Sequence, residues 1–438
     1  MNIAKVKQKL EQLPLDALAS QTRFIKRRAF KITPVAYVLA FLEMFVNGFN
    51  TLEVWASGIA KLTGHLVSTQ GLQNRIQYPQ VDFCKRVLTQ LIAAQLKVAH
   101  TKQACGELLA AFDEVILEDS TCITLPKSAH PFFPGSVNQN GDSASARIQL
   151  RMELNSGNYR QLELQGYRDN DQKYASHIIN DITAGSLVIR DLGYYVLSVF
   201  KQLDEKGVFF LSRYHSRSAI YDRSGARIDL AKYLRQLRKK QISVWDEQVL
   251  LGYDTKLPVR VIAIKAPAQV EQQRKRKANR DRRAKHSAEY YELLGWTILI
   301  TNVAANCWTP AQALEVYGYR WRIEIVFKCW KTNFNCKTLF KQKNALSHPR
   351  ILISFYLLLV VIMLAFVHSY WIAFTRVHQQ TGRILSMIKF GKFLKLTLTE
   401  LFADLQDDQT IQFLARYFCQ TKRKAKSHTE MIYALNSS

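Results

Sequence analysis

Two apolar runs, each closed by an acid, limit what this chain can fold into more than any other feature. They are Val115-Ile-Leu-Glu-Asp119 and Ser186-Leu-Val-Ile-Arg-Asp191. Short apolar runs rich in β-branched residues read as strands. Between them, Ala146 to Leu154 and Tyr159 to Gly166 alternate with period two around a hairpin turn, Asn155-Ser-Gly-Asn158. Pro126 to Asp142, rich in Pro, Gly, Ser and Asn, reads as a loop. Asp171 to Ile182 and Tyr194 to Lys206 read as helices, and Val208 to Tyr214 as a further strand. The order is strand, strand, strand, helix, strand, helix, strand. Because successive side chains on a strand point to opposite faces, Glu118 should face away from Asp119.

This order resembles the ribonuclease-H-like arrangement, in which one acid lies on the first strand and another just after the fourth. Asp119 and Asp191 fall on those positions. The expected fold class is therefore α/β, with a ribonuclease-H-like mixed-sheet catalytic core over residues 106–214 and 304–345. Residues 215–303 interrupt the core with a helix (Asp229 to Lys240) and three strands (Ser243 to Gly252, Leu257 to Ala266, Trp296 to Asn302). They are expected to form a strand-rich insertion domain. Helical regions flank the core at 1–105 and 346–438. In the first, Leu52 to Arg75 reads as a helix, a turn at Thr63-Gly64-His65 and a second helix capped by Ser68. Such a unit offers Thr69, Gln70, Gln73, Asn74 and Arg75 to a DNA groove, although similar patterns occur in any helical bundle.

Charge narrows the partner. Sixty-one Lys and Arg stand against 35 Asp and Glu, a net +26, and the pI is about 9.8. A folded chain this basic points to a polyanion, nucleic acid before a membrane surface. The run Arg274 to Lys285 carries eight cations in twelve residues; it reads either as a solvated segment or as a phosphate-neutralising one. Seven cysteines show no CxxC pair, as expected of reduced cytosolic thiols. The first residues contain no apolar signal core. Ile351 to Val367 is apolar enough to lie at the short end of a membrane span, about 17 residues. In a chain so basic throughout, a helix buried in a large core is the preferred reading, with no membrane partner.

The stretch Tyr317-Gly-Tyr-Arg-Trp-Arg-Ile-Glu-Ile-Val-Phe-Lys-Cys-Trp-Lys331 follows a helix-start signal, Thr309-Pro310. No Gly or Pro interrupts it after Gly318, so it reads as one long helix. At about 3.6 residues per turn, Tyr317, Arg320, Glu324 and Lys331 then share a stripe about 60° wide. A plain amphipathic helix with an Arg–Glu pair four apart would also account for it.

The pattern Y-x2-R-x3-E-x6-K resembles the signature of the IS-four family of bacterial DDE transposases. Asp191-Leu-Gly-Tyr194 resembles that family's element around the second acid, and Asp119-Ser-Thr its first. The resemblance spans about half of the chain. It implies that Asp119, Asp191 and Glu324 are catalytic and hold Mg2+ or Mn2+ as two ions. It also implies that Arg320 and Lys331 hold phosphates, that Tyr317 packs beside a distorted nucleotide, and that Trp296 stacks on a flipped base. The function implied is transposition of an insertion sequence in the bacterial cytoplasm, near the nucleoid. The protein would bind terminal inverted repeats as a synaptic homodimer, cut them and join them to target DNA. A structure-selective nuclease on the same fold and a catalytically silent DNA-binding repressor are the two rival readings.

Overall fold

A computed structural model describes residues 3–25, 31–98, 108–138, 141–280, 286–334, 347–397 and 407–420. Its centre is one mixed sheet of eleven strands. These are β1 (Val115–Leu125), β2 (Pro134–Asn138), β3 (Gly141–Glu153), β4 (Tyr159–Gly166), β5 (Leu187–Arg190) and β6 (Phe209–Arg213). They continue with β7 (Ile220–Tyr221), β8 (Arg227–Ile228), β9 (Val244–Leu251), β10 (Leu257–Lys265) and β11 (Trp296–Thr301). The hydrogen-bonded order is β2-β3-β1-β5-β6-β11-β10-β9-β7-β8, with β4 paired to β3. β1 pairs antiparallel to β3 and parallel to β5, which is parallel to β6. The expected ribonuclease-H-like order is present. Pro126 to Asp142 is not all loop, because β2 adds a strand at the edge of β3.

The strands of 215–303 do not build a separate sheet. β11 pairs antiparallel with β6, β10 with β11 and β9 with β10, so the insertion prolongs the core sheet beyond its parallel strands.

Alternation along the strands divides the interior in two. Leu117, Leu187, Ile189, Leu211 and Leu299 belong to one buried cluster, shared with the N-terminal helices, the signature helix and the C-terminal helices. Their neighbours Ile116, Val188, Phe210, Ile298 and Ile300 belong to the other. That second cluster is shared with the helices Leu197–Glu205 and Leu230–Lys239, the latter capped by Asp229. Asp119 has the parity of Leu117 and so faces the signature helix.

The apolar segment near residue 360 lies inside the first cluster. The helix His348–Val361 continues through a π-helical stretch, Ile362–Val367, into the helix His368–Thr381. Its most apolar window is 94% buried, and it packs on the helix Tyr78–Val98. Leu52–Thr63 ends at Gly64, whose left-handed backbone (φ +73°) closes the helix, and Thr69–Gln73 starts at the Ser68 cap. Of the basic run, residues up to Arg280 lie on the helix Ala268–Arg280, and 281–285 are outside the described residues.

Candidate active site

The signature stretch is two helices rather than one. One helix, Pro310–Gly318, opens on a capping box between Thr309 and Gln312; a second runs from Trp321 to Asn333. Between them, Tyr319, Arg320, Arg322 and Ile323 each bond three residues back (to Val316, Tyr317, Tyr319 and Arg320) instead of four. A glycine at 318 weakens the helix where it tightens. This break corrects the single-helix expectation and puts Arg320 at the joint.

From the joint, Arg320 reaches all three acids. Its Nη1 is 3.1 Å from Asp119 Oδ2, its Nη2 2.6 Å from Glu324 Oε1 and its Nε 3.7 Å from Asp191 Oδ1. Asp119 arrives from the middle of β1, Asp191 from just past the end of β5, and Glu324 from the first turn of the second helix. Residues 119, 191 and 324 are thus gathered round one guanidinium. A plain surface Arg–Glu pair would not bring in two acids from separate strands.

Burial differs among the members. The side chains of Asp119 and Arg320 are 14% and 10% exposed, and those of Asp191 and Glu324 are 40% and 31% exposed. Burial pushes the Asp119 carboxyl up to about 7, with Arg320 and the Ser120 backbone N–H (2.7 Å from Oδ1) pulling the other way. The acids hold the Arg320 guanidinium more firmly protonated despite its burial.

The remaining signature residues divide. The Tyr317 ring lies 5.8 Å from the Arg320 guanidinium carbon, and burial raises its hydroxyl to about 12. Lys331 is exposed in the last turn of its helix, close enough to Cys122 of β1 to act on its thiol electrostatically. Trp296 is not brought to the surface. It begins β11, is 1% exposed within the second cluster, and its indole N–H has no hydrogen-bond partner. In this arrangement it offers no face to a base. Trp321, which the sequence reading passed over, is 52% exposed and 6.0 Å from the Arg320 guanidinium. The signal was available: an aromatic directly beside the signature arginine.

Could these residues hold a divalent ion? Among the described residues, no three His, Cys, Asp or Glu side chains converge closely enough to enclose one directly. The three carboxylates converge instead on a cation, Arg320. An all-oxygen carboxylate donor set suits Mg2+ or Mn2+ in chemistry, and Arg320 holds the place of the cation here.

Comparison with known proteins identifies the family of the chain. The transposase DDE domain family matches residues 110–359. The chain is 28% identical over 341 residues to the transposase for insertion sequence element IS231E of Bacillus thuringiensis subsp. finitimus, covering 73% of this chain and 70% of that one. To the IS231F transposase of B. thuringiensis subsp. israelensis it is 27% identical over 353 residues, covering 75% and 73%. To the IS1151 transposase of Clostridium perfringens it is 25% identical over 367 residues, covering 77% and 75%. Among solved structures, a piggyBac transposase synaptic complex with hairpin DNA aligns at a TM-score of 0.41 and 10% identity, over 95% of this chain and 84% of that one, a likeness too slight to carry weight. The family match starts before β1, ends inside the helix His348–Val361 and takes in all three acids. This chain therefore belongs to the family of transposases with a DDE domain.

Proposed function

We propose that this protein transposes an insertion sequence, cutting at terminal inverted repeats and joining the cut ends to target DNA. The observation that carries the reading is the convergence of Asp119, Asp191 and Glu324 on Arg320. Two divalent ions held by these carboxylates would supply activation of an attacking hydroxyl and stabilisation of the leaving oxygen in an in-line displacement at phosphorus. In cleavage the attacker is water and the 3′ oxygen leaves. In joining, the freed 3′ hydroxyl attacks a target phosphate and a target 3′ oxygen leaves.

The chain's own side chains do the rest. Arg320 balances the charge of the acids; with divalent ions bound to those acids, its guanidinium would be free to fork onto a phosphate. Lys331, further along the same helix, offers a second cation to the backbone. Trp321 is better exposed than Trp296 to meet an unstacked base at the mouth of the site. Cutting two ends in one assembly calls for at least two subunits, so a synaptic homodimer is part of the proposal.

Incubation with labelled inverted-repeat DNA, target plasmid and Mg2+ tests it. Labelled ends joined to the plasmid support transposition. Nicks without joining would indicate a nuclease, and binding without breaks a repressor.

A further inference from the structure

The acid pair has a counterpart on the hidden face of the sheet. β1 and β5 run parallel with Glu118 opposite Arg190, and the next residue of each chain segment is an acid of the site. Strand alternation turns Glu118 away from Asp119, as the sequence predicts. There it is fully buried and ion-paired to Arg190 (2.6 Å, also fully buried) and to Arg151 of β3 (2.6 Å). Three adjacent strands are thus tied together at one level, directly beneath the acids.

The turn after Arg190 is held from the same side. Arg190 donates to the Ala175 carbonyl (2.6 Å), and its guanidinium lies 5.6 Å from the Tyr194 ring. The Tyr194 hydroxyl donates to the Gln149 side-chain carbonyl. Gln149 in turn donates to Asp171 (3.1 Å), which also takes a bond from Arg147 (2.9 Å). A Cβ on Gly193 would sit 2.8 Å from the Asp171 carboxylate, so any other residue here would have to displace that side chain. The sequence Asp191-Leu-Gly-Tyr194 thereby acquires a physical account: an acid, a residue without a side chain where Asp171 approaches, and a phenol that reaches Gln149.

A buried ion pair adds little net stability, because desolvation offsets its attraction, but it penalises any arrangement that separates the charges. A slip of β5 against β1 would do that here and would displace Asp191 from Asp119. We propose that Glu118, Arg190 and Tyr194 are positioning residues that set the spacing of Asp119 and Asp191 from the hidden face, so that affinity for divalent ions depends on side chains that touch no ion. This rests on the reading of Asp119 and Asp191 as ion ligands.

The test is Mn2+ binding to the full chain without DNA, followed by the electron paramagnetic resonance of free Mn2+, alongside melting curves. Asp191→Asn should lose most binding; wild-type affinity there would overturn the ligand reading and this proposal with it. With that control in place, Glu118→Gln and Tyr194→Phe should each weaken Mn2+ binding by about tenfold, in the range known for residues that support metal ligands. Tyr194→Phe removes a single oxygen, so it keeps the question decidable if Glu118→Gln fails to fold. Wild-type Mn2+ affinity in Tyr194→Phe, whatever its melting temperature, would show that the network serves stability alone and would overturn the proposal.

Discussion

Arg320 and Asp119 meet at 3.1 Å across 201 positions of sequence, one between the two helices of the signature stretch and the other in the centre of β1. The contact makes the arginine the internal counter-ion of the acid cluster. Three carboxylates this close cannot all stay ionised without a compensating positive charge.

Replacing Arg320 by alanine should therefore lower the melting temperature in the absence of divalent ions. The loss is about 1–3 kcal/mol, reduced from the fully buried case by the exposure of Asp191 and Glu324. Millimolar Mn2+ should restore most of it. Differential scanning calorimetry with and without Mn2+ checks this; an equal deficit in both conditions would count against the counter-ion role.

Asp119 gives a pH dependence with a definite sign. Its folded value, about 7, lies above the ordinary carboxyl value of 3.8. The raised group favours the fold fully below pH 4, and that contribution is lost as pH rises through 7. Asp119→Asn, free of divalent ions, should accordingly be more stable than the wild type at pH 8. The difference is up to about 4 kcal/mol, since each of roughly three units is worth about 1.4. At pH 3.5 the gap should close. Urea titrations at the two pH values measure it.

Gly193→Ala should be destabilising by about 1–3 kcal/mol. The new methyl group meets a carboxylate that Arg147 and Gln149 hold in place, so the neighbour cannot simply swing away. Chemical denaturation gives the number, and a change below about 0.5 kcal/mol would show that Asp171 moves freely.

Lys331→Ala should weaken DNA binding evenly across sequences. It should also reduce the slope of log K against log salt by about 0.9, the share of one phosphate contact. Fluorescence anisotropy at several salt concentrations reads both effects. An unchanged slope would remove Lys331 from the phosphate-binding surface.

The strand order and both strand-borne acids were legible in the sequence because period-two alternation and terminal acids are local signals. The helical partner Glu324 was legible only through the resemblance of Tyr317, Arg320, Glu324 and Lys331 to a family signature, because their spacing alone also fits a plain amphipathic helix. The break before Trp321 was not legible, since three-residue bonding leaves no compositional mark beyond Gly318. Neither was the burial of Trp296, because a tryptophan opening a strand can lie on either side of the sheet rim, and tertiary packing decides. Glu118 could be assigned to the opposite face by parity. Its partners Arg151 and Arg190 needed the strand register, which no local pattern encodes. The insertion's strands were found singly, but their pairing onto β6 is a long-range choice.

On the proposed function, Asp119, Asp191 and Glu324 act together on DNA strands. A pre-cut inverted-repeat end with a free 3′ hydroxyl, mixed with supercoiled plasmid and Mg2+, measures joining alone. The wild type should yield joined plasmid, while Asp119→Asn, Asp191→Asn and Glu324→Gln should each lose at least about a thousandfold in rate, some 4 kcal/mol, with end binding intact. Joining at near wild-type rate by any one of the three variants would contradict the account.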